Sequence, residues 1–396
     1  MNRSSAAGAF VLCVLPRLIV LWLAPASEQT FYWHYSSSLL EHGTLGLPGA
    51  PDTVVEPLYP AFLAAARRLT GDRLSAVLAL QILVAGAGGV FLHGLTRSLT
   101  GSTRAAWLAT LLYAFDPYLV RQSVGLMEVV VLTALLIATA WSERRDTAAG
   151  PVLAGVFAGA AVLTRFSVAP VAGALPLLLA RRSWKQAALA AAAILLVVTP
   201  WSIRNQRIDG SVAPSRIGIN LAVSLSDAAE QLLPIHNNDR LVPLLGAQTD
   251  RELLSSALAF ARANPWRTIK MKLRNLVHVF NPRLLPYDYE PQSARLREQN
   301  GRYWIEGGIP RSRAAQGMHG LWRTMILVLA IVGLATRGLR WDDGVLWAVV
   351  LTITAVCTVF FPTTRLTTPM VFALMVFAGL PFGADGRRGV DAHSPQ

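Results

Sequence analysis

LSAVLALQILVAGAGGVFLHGL, residues 74–95, contains no Asp, Glu, Lys or Arg. At about 1.5 Å of rise per residue, such a run crosses a hydrocarbon layer of roughly 30 Å as a single helix. Similar apolar runs lie on both sides of it: Ala7–Ala24, Ala105–Val120, Leu126–Trp141, Pro151–Leu163, Val168–Ala180 and Ala187–Trp201. Gly320–Ala335, Val345–Phe361 and Pro369–Phe382 complete the set. The expected architecture is an all-α polytopic membrane bundle of about ten transmembrane helices. Some runs are short by helix arithmetic, so neighbouring boundaries can merge. Composition agrees, with 53% of the 396 residues hydrophobic and only 15% charged.

The net charge of +13 would suit a nucleic-acid partner if it formed a stripe on a soluble domain. Instead, much of the Arg lies at the ends of apolar runs, where positive charge orients a membrane protein. With ten spans both termini share one side. That side would carry Met1–Arg3, Arg97–Arg104, Glu143–Arg145, Arg181–Lys185, Arg337–Arg340 and Arg387–Arg388. These segments are short and Arg-rich, which reads as cytoplasmic and makes Ser27–Arg73 and Ser202–His319 external. Cys13 and Cys357 both fall within apolar runs, which implies neither a disulfide framework nor a metal cluster. The N-terminus reads as an uncleaved first span, because no small-residue cleavage site precedes Glu28. The chain then divides into an N-terminal membrane module (1–201) with a catalytic first loop (27–73), an external region with amphipathic helices (202–319), and C-terminal spans with a tail (320–396).

The first loop sets Glu28, Glu41, Asp52 and Glu56 among Phe31, Tyr32, Trp33, Tyr35 and Tyr59. Aromatic residues gather where bilayer meets water, and a carboxylate there can serve a reactant held in lipid. Glu56 precedes Pro57-Leu58-Tyr59-Pro60, a rigid stretch that fixes how the chain returns to the membrane. Glu128 opens the fourth span with an unbroken apolar run behind it, and ionisable groups so placed usually face a cavity. Arg17 is deep in the first span and must pair inside the bundle; a structural salt bridge is the default expectation. Arg165, Arg204 and Arg365 fall at the external face, where lone arginines anchor headgroups and converging ones make a phosphate site. His34 and His42 have no third ligand at sensible spacing, a poor basis for zinc.

In the second loop Thr249-Asp250-Arg251-Glu252 reads as a capping box opening a helix through Ala263. Asn264-Pro265 then starts another, with Asn as cap and Pro in the first position. On this second helix Trp266, Ile269, Leu273, Leu276, Val277 and Phe280 share a face, with Arg267, Lys270, Lys272 and Arg274 between them. Such a basic amphipathic helix belongs in the headgroup layer. Residues 281–313 read as a polar, lid-like loop. There is no G-x-x-x-x-G-K-[ST], no G-x-S-x-G and no internal repeat, which argues against an NTP-driven pump or a serine hydrolase.

The order of these pieces resembles the GT-C type membrane glycosyltransferases, and within them the bacterial proteins similar to protein O-mannosyltransferases and lipid A aminoarabinose transferases. Four stretches carry the resemblance: Glu28-Gln29-Thr30-Phe31-Tyr32 through Leu39-Leu40-Glu41-His42-Gly43, Glu56-Pro57-Leu58-Tyr59-Pro60, Asp116-Pro117 with Glu128 downstream, and Thr199-Pro200-Trp201-Ser202-Ile203-Arg204-Asn205. The last is the most specific. One departure is Glu28, where the family usually has Asp.

The resemblance implies transfer of a sugar from a polyprenyl-phosphate carrier to an acceptor hydroxyl or amine at the external face of a bacterial inner membrane. It casts Glu28, with Glu56 and Glu128, as the carboxylates that take the acceptor's proton. Arg165, Arg204 and Arg365 would hold the phosphate as charge develops on it. It calls for no cofactor, although a divalent metal, used by some GT-C enzymes, is compatible with clustered carboxylates. The partners it implies are the lipid-linked donor, a protein, lipid or glycan acceptor and membrane lipids, with no nucleic acid. The competing readings are a secondary transporter or flippase, which would favour internal repeats, a lipid-linked glycan polymerase or ligase, and a structural membrane subunit.

Overall fold

The computed structural model describes residues 2–23, 31–47, 50–51, 53–212, 217–225, 249–285, 289–290, 295–299, 302–306, 309–310, 312–338, 340 and 343–386. The first half is α1 (Arg3–Leu23), α2 (Phe31–His42), a two-residue strand pair β1 (Gly46–Leu47) and β2 (Ala50–Pro51), α3 (Leu58–Thr70), α4 (Leu74–Thr100), α5 (Thr103–Ala114) and α6 (Pro117–Ser123). It continues with α7 (Val129–Glu143), α8 (Ala149–Thr164), a 3₁₀ turn (Phe166–Val168), α9 (Ala169–Ala180) and α10 (Trp184–Asp209). Next come α11 (Ile217–Ser224), α12 (Asp250–Ala263), α13 (Pro265–Val279) and the short strands β3 (Tyr289–Glu290), β4 (Arg295–Gln299), β5 (Arg302–Glu306) and β6 (Ile309–Pro310). The chain closes with α14 (Arg313–Arg337), α15 (Gly344–Val359), α16 (Thr364–Thr367) and α17 (Val371–Gly379).

Among the described residues, five helical stretches are long and apolar enough to cross a membrane: α1, α4, α10, α14 and Thr364–Gly383. Four shorter apolar helices, Val129–Glu143, Ala149–Thr164, Phe166–Ala180 and Gly344–Val359, lie among them. The expected span Ala105–Val120 is broken. Asp116 accepts from the Leu119 amide and Pro117 takes the first helical position, so α6 starts as a separate helix. The all-α expectation holds for the bundle, but the lid-like region contains two antiparallel strand pairs, β3 with β6 and β4 with β5.

Helix α4 is the axis of the N-terminal half, packing against α1, α5 and α7. Small residues let these backbones approach: a Cβ on Gly89 would run into Cys13 Sγ. At the other end of the chain, a Cβ on Gly333 would collide with the Phe377 carbonyl oxygen, so α14 seats directly on α17. All nine residues of α17 are buried. A second apolar cluster lies under the first loop, where Tyr32, Trp33, Tyr35, Tyr59 and Leu63 pack on Val77 and Leu78 of α4 and Val131 of α7. This cluster fixes α2 and α3 over the end of the bundle.

Arg17 is fully buried, and among the described residues it makes hydrogen bonds rather than the expected salt bridge. Its guanidinium donates to the carbonyls of Cys13 (2.6 Å), Tyr113 (3.1 Å) and Ala114 (3.1 Å) and to Ser123 Oγ (3.0 Å). The reason is the end of α5, whose last carbonyls lack helical partners and carry the negative end of the helix dipole. Four acceptors thus replace a carboxylate.

Candidate functional site

Glu128 stands at the N-terminal end of α7 with 1% of its surface exposed. The turn before it is held from α4. Gln81 Nε2 lies 3.2, 3.1 and 2.8 Å from the carbonyl oxygens of Gln122, Ser123 and Gly125. Tyr59 in turn donates its hydroxyl to Gln81 Oε1 at 2.7 Å. A glutamine within an apolar span is costly unless fully bonded, and here that requirement fixes where the carboxylate emerges.

Two arginines converge on Glu128. Arg165 Nη1 donates to Oε1 at 2.7 Å, and Arg365 Nη2 lies 2.8 Å from both carboxylate oxygens, with its Nε 3.1 Å from Oε1. Arg165 caps α8 in extended backbone just before the 3₁₀ turn. Arg365 sits in the first turn of α16, whose N-cap Thr363 accepts from the Leu366 amide. The side chains of Arg165 and Arg365 remain 19% and 32% exposed while the carboxylate is sealed. Glu128 and its two arginines together carry one negative and two positive charges, before the neighbouring Glu56 carboxylate is counted.

The first loop closes over this cluster. Arg365 Nη2 also donates to the Tyr32 hydroxyl at 2.9 Å, and the Tyr32 ring meets Tyr59 edge-on at 5.0 Å. Burial, and then the Glu128 charge, push ionisation of the Tyr32 phenol upward, so it stays neutral. Glu56 is half-buried and its Oε1 accepts the Phe166 amide at 3.0 Å, one residue beyond Arg165. Carboxylate, guanidiniums and phenol come from α2, the α3 entry, the α6–α7 turn, the α8 end and α16.

Arg204 is not part of this convergence on Glu128. The helix expected to end at Trp201 continues through Pro200 to Asp209, where Gly210 stops it at a φ of 75°. This puts Arg204 on a helix, stacked over the Trp201 ring at 4.3 Å and donating to the Leu45 carbonyl at 2.7 Å. Thr53 donates to the Asp209 carboxylate on the same helix end. Arg204 and Trp201 line an open cleft of about 410 Å³ with Leu39, Leu45, Pro57 and Ile208.

Glu28 and Asp52 lie outside the described residues. Glu41 is exposed at the end of α2, 3.9 Å from His42. Among the described residues no three His, Cys, Asp or Glu side chains gather as a metal site. Glu128 is taken up by arginines and one Glu56 oxygen by an amide, so these two carboxylates do not make a divalent-cation site by themselves. Of the residues singled out in the sequence, the structure brings Glu56, Glu128, Arg165 and Arg365 together; it adds Gln81, and it gives Tyr59 and Tyr32, named only as interfacial aromatics, hydrogen-bonding roles. The available signal for Gln81 was a polar residue in the middle of residues 74–95.

Residues 51–203 match the family model described as dolichyl-phosphate-mannose-protein mannosyltransferase. The matched segment includes Glu56, Glu128 and Arg165 and stops one residue short of Arg204. No curated protein matches the chain. Among solved structures, the archaeal oligosaccharyltransferase AglB from Archaeoglobus fulgidus, in complex with an inhibitory peptide and a dolichol-phosphate, is similar at 15% identity and a TM-score of 0.49. The similarity covers 95% of this chain and 50% of AglB, so the chain spans half of that protein's length. ArnT from Cupriavidus metallidurans, bound to undecaprenyl phosphate, is similar at 14% identity and a TM-score of 0.42, over 96% of this chain and 78% of its own. The family whose model matches is the one that the chain's motifs resemble.

Proposed function

We propose, from the kinship of residues 51–203 with the mannosyltransferase family, that this chain transfers a sugar from a polyprenyl-phosphate carrier to an acceptor hydroxyl or amine. The observation that carries the proposal is the pair of part-exposed guanidiniums, Arg165 and Arg365, held side by side on the sealed carboxylate of Glu128. Two planar donors with a fixed separation suit a phosphate monoanion or diester.

In the proposed reaction the acceptor O–H or N–H attacks the anomeric carbon while its proton passes to a carboxylate. The bond from the anomeric carbon to the phosphate oxygen breaks, and its electron pair stays on that oxygen, where Arg165 and Arg365 hold it. Polyprenyl phosphate is a good leaving group, so the chemistry needs a base and an anion clamp rather than a strong acid. A direct displacement inverts the sugar's configuration.

Glu128 is a poor candidate for the base, because two guanidiniums stabilise its charged form; its proposed role is to hold the clamp. Glu56 and Glu28 divide the base role between them as candidates. Glu56 has the geometric support, since the hydrogen bond it accepts from the Phe166 amide sets it one residue from Arg165. Arg204 is proposed to hold the first loop, through Leu45, at the side of the cleft. The short Arg-rich segments support, by the positive-inside rule, the proposed orientation in a bacterial inner membrane: both termini on the cytoplasmic side and the cluster on the external side.

The test is sugar transfer from a panel of labelled polyprenyl-phosphate sugars by purified protein, with E28Q, E56Q and R365A alongside. Turnover that falls in R365A through donor KM, and in one glutamate variant through kcat, supports the assignment. Absence of turnover and of binding with every carrier, together with solute flux into proteoliposomes, would replace it with a transporter.

A further inference from the structure

Helix α13 is turned the opposite way from a helix on a soluble domain. Its inward face is Met271, Asn275 and Val279, all buried at four-residue spacing. Its outward face carries Trp266, Ile269, Leu273 and Val277, with Trp266 80% and Val277 73% exposed. The helix is not held to the bundle by apolar burial alone. Lys272 Nζ donates to Ser224 Oγ at 2.7 Å and to the Val359 carbonyl, and Asn275 Nδ2 lies 3.3 and 3.1 Å from the Thr358 and Phe360 carbonyl oxygens.

Those carbonyls give the depth. They are the last ones of α15, which has no charged residue between Gly344 and Val359. The terminal carbonyls of a helix lack intrahelical partners, and within hydrocarbon nothing else would satisfy them. They are met here by an ammonium and an amide on α13. The helix thus lies across the end of an apolar helix, at the boundary where hydrocarbon gives way to headgroups, with its apolar face turned away from the protein.

Charge supplies the partner. Residues 265–279 include Arg267, Lys270, Lys272 and Arg274 and no acidic residue. Lys272 is directed inward, while Lys270 falls on the exposed arc with Trp266, Leu273 and Val277. Long basic side chains at this level can extend along the apolar face and place their charge among phosphates. We propose that the outward face of α13 is a docking surface for the bilayer's headgroup layer, selective for anionic lipid through the exposed Lys270, with the half-buried Arg267 and Arg274 along its flank. The surface is separate from the Glu128 cluster and does not depend on the donor reading.

The test uses the full chain in nanodiscs of phosphatidylcholine, with and without phosphatidylglycerol. Nitroxides are attached at Trp266→Cys, Leu273→Cys or Val277→Cys; the native Cys13 and Cys357 are buried. The outward labels should collide at least about tenfold less with an aqueous nickel chelate than a label at Glu41→Cys on the exposed end of α2. Spin-labelled phosphatidylglycerol should associate more than spin-labelled phosphatidylcholine, by about fivefold for each basic residue. The R267Q/K270Q/R274Q variant should lose that preference, and inorganic phosphate should not compete for it. Outward labels that the nickel chelate reaches as freely as Glu41→Cys would overturn the docking surface. An unchanged phosphatidylglycerol preference in the triple variant would overturn its selectivity.

Discussion

Replacing Glu128 with Gln removes one negative charge from between two guanidiniums. Glu128 receives Arg165 at 2.7 Å and Arg365 at 2.8 Å on each oxygen. Gln keeps one acceptor oxygen and turns an NH₂ toward donors. Breaking a buried ion pair by removing one partner costs about 3–5 kcal/mol. The lower end applies here, because the guanidiniums keep 19% and 32% exposure and water screens part of their repulsion. A loss of about 3 kcal/mol is a factor of roughly a hundred or more in an equilibrium constant.

A lipid phosphate can supply the missing charge. E128Q should therefore unfold at lower temperature than the parent in detergent, and added polyprenyl phosphate should raise its midpoint more than the parent's. Transfer by E128Q should fall, because the phosphate is drawn toward the vacated anion position. The assay is thermal unfolding by intrinsic fluorescence across a titration of polyprenyl phosphate, with donor turnover measured beside it. Parent-like stability, no added response to the lipid and a loss confined to kcat would make Glu128 the base and refute the counter-charge argument.

E56Q keeps the Oε1 acceptor for the Phe166 amide, so it should fold as the parent does and lose about 10²–10⁴ in kcat if Glu56 is the base; unchanged kcat with a loss in E28Q would transfer that role. R17M should lower thermal stability by about 2–3 kcal/mol, since several buried carbonyls lose a charged donor, while donor KM in the surviving fold stays within twofold or so of the parent. Burial, and then Arg274, bring Lys272 down from 10.5 to about 8. With the folded value below the unfolded one, the penalty for its charged form is complete below about 8 and disappears above 10.5. The unfolding midpoint of the parent should therefore rise relative to K272M between those two pH values, and a constant difference would show that Lys272 is not buried against α15.

What was legible in the sequence followed from costs that local composition exposes. Apolar runs, the Thr249 capping box and ionisable residues beside apolar runs all identify themselves, which is why Glu128, Arg165 and Arg365 could be named. The capping box forms with both reciprocal bonds in place. The companion cap at Asn264 does not, because its side chain donates back to the Phe260 carbonyl instead. Partners were less legible than positions. Arg17 was expected to seek a carboxylate, yet orphaned carbonyls at the end of another helix serve a guanidinium equally well. The helix expected to end at Trp201 runs on to Asp209, since membrane helices accommodate an interior proline such as Pro200, and this sets Arg204 on a helix beside Leu45. The bonds through Gln81 and Tyr59 join residues distant in the chain and leave no periodic trace.

The charges around Glu128 also have an order of arrival. Arg165 follows Glu128 by one helical hairpin, α7–α8, so these two can enter the bilayer with their charges already cancelled. Arg365 is made some two hundred residues later and must displace nothing, since Glu128 still has its second oxygen to offer. The Glu128–Arg165 pair is thus balanced once residue 165 is made, and it gains its second guanidinium only when Arg365 is delivered with the last span. In order of synthesis, Arg365 joins a carboxylate that Arg165 is already able to hold.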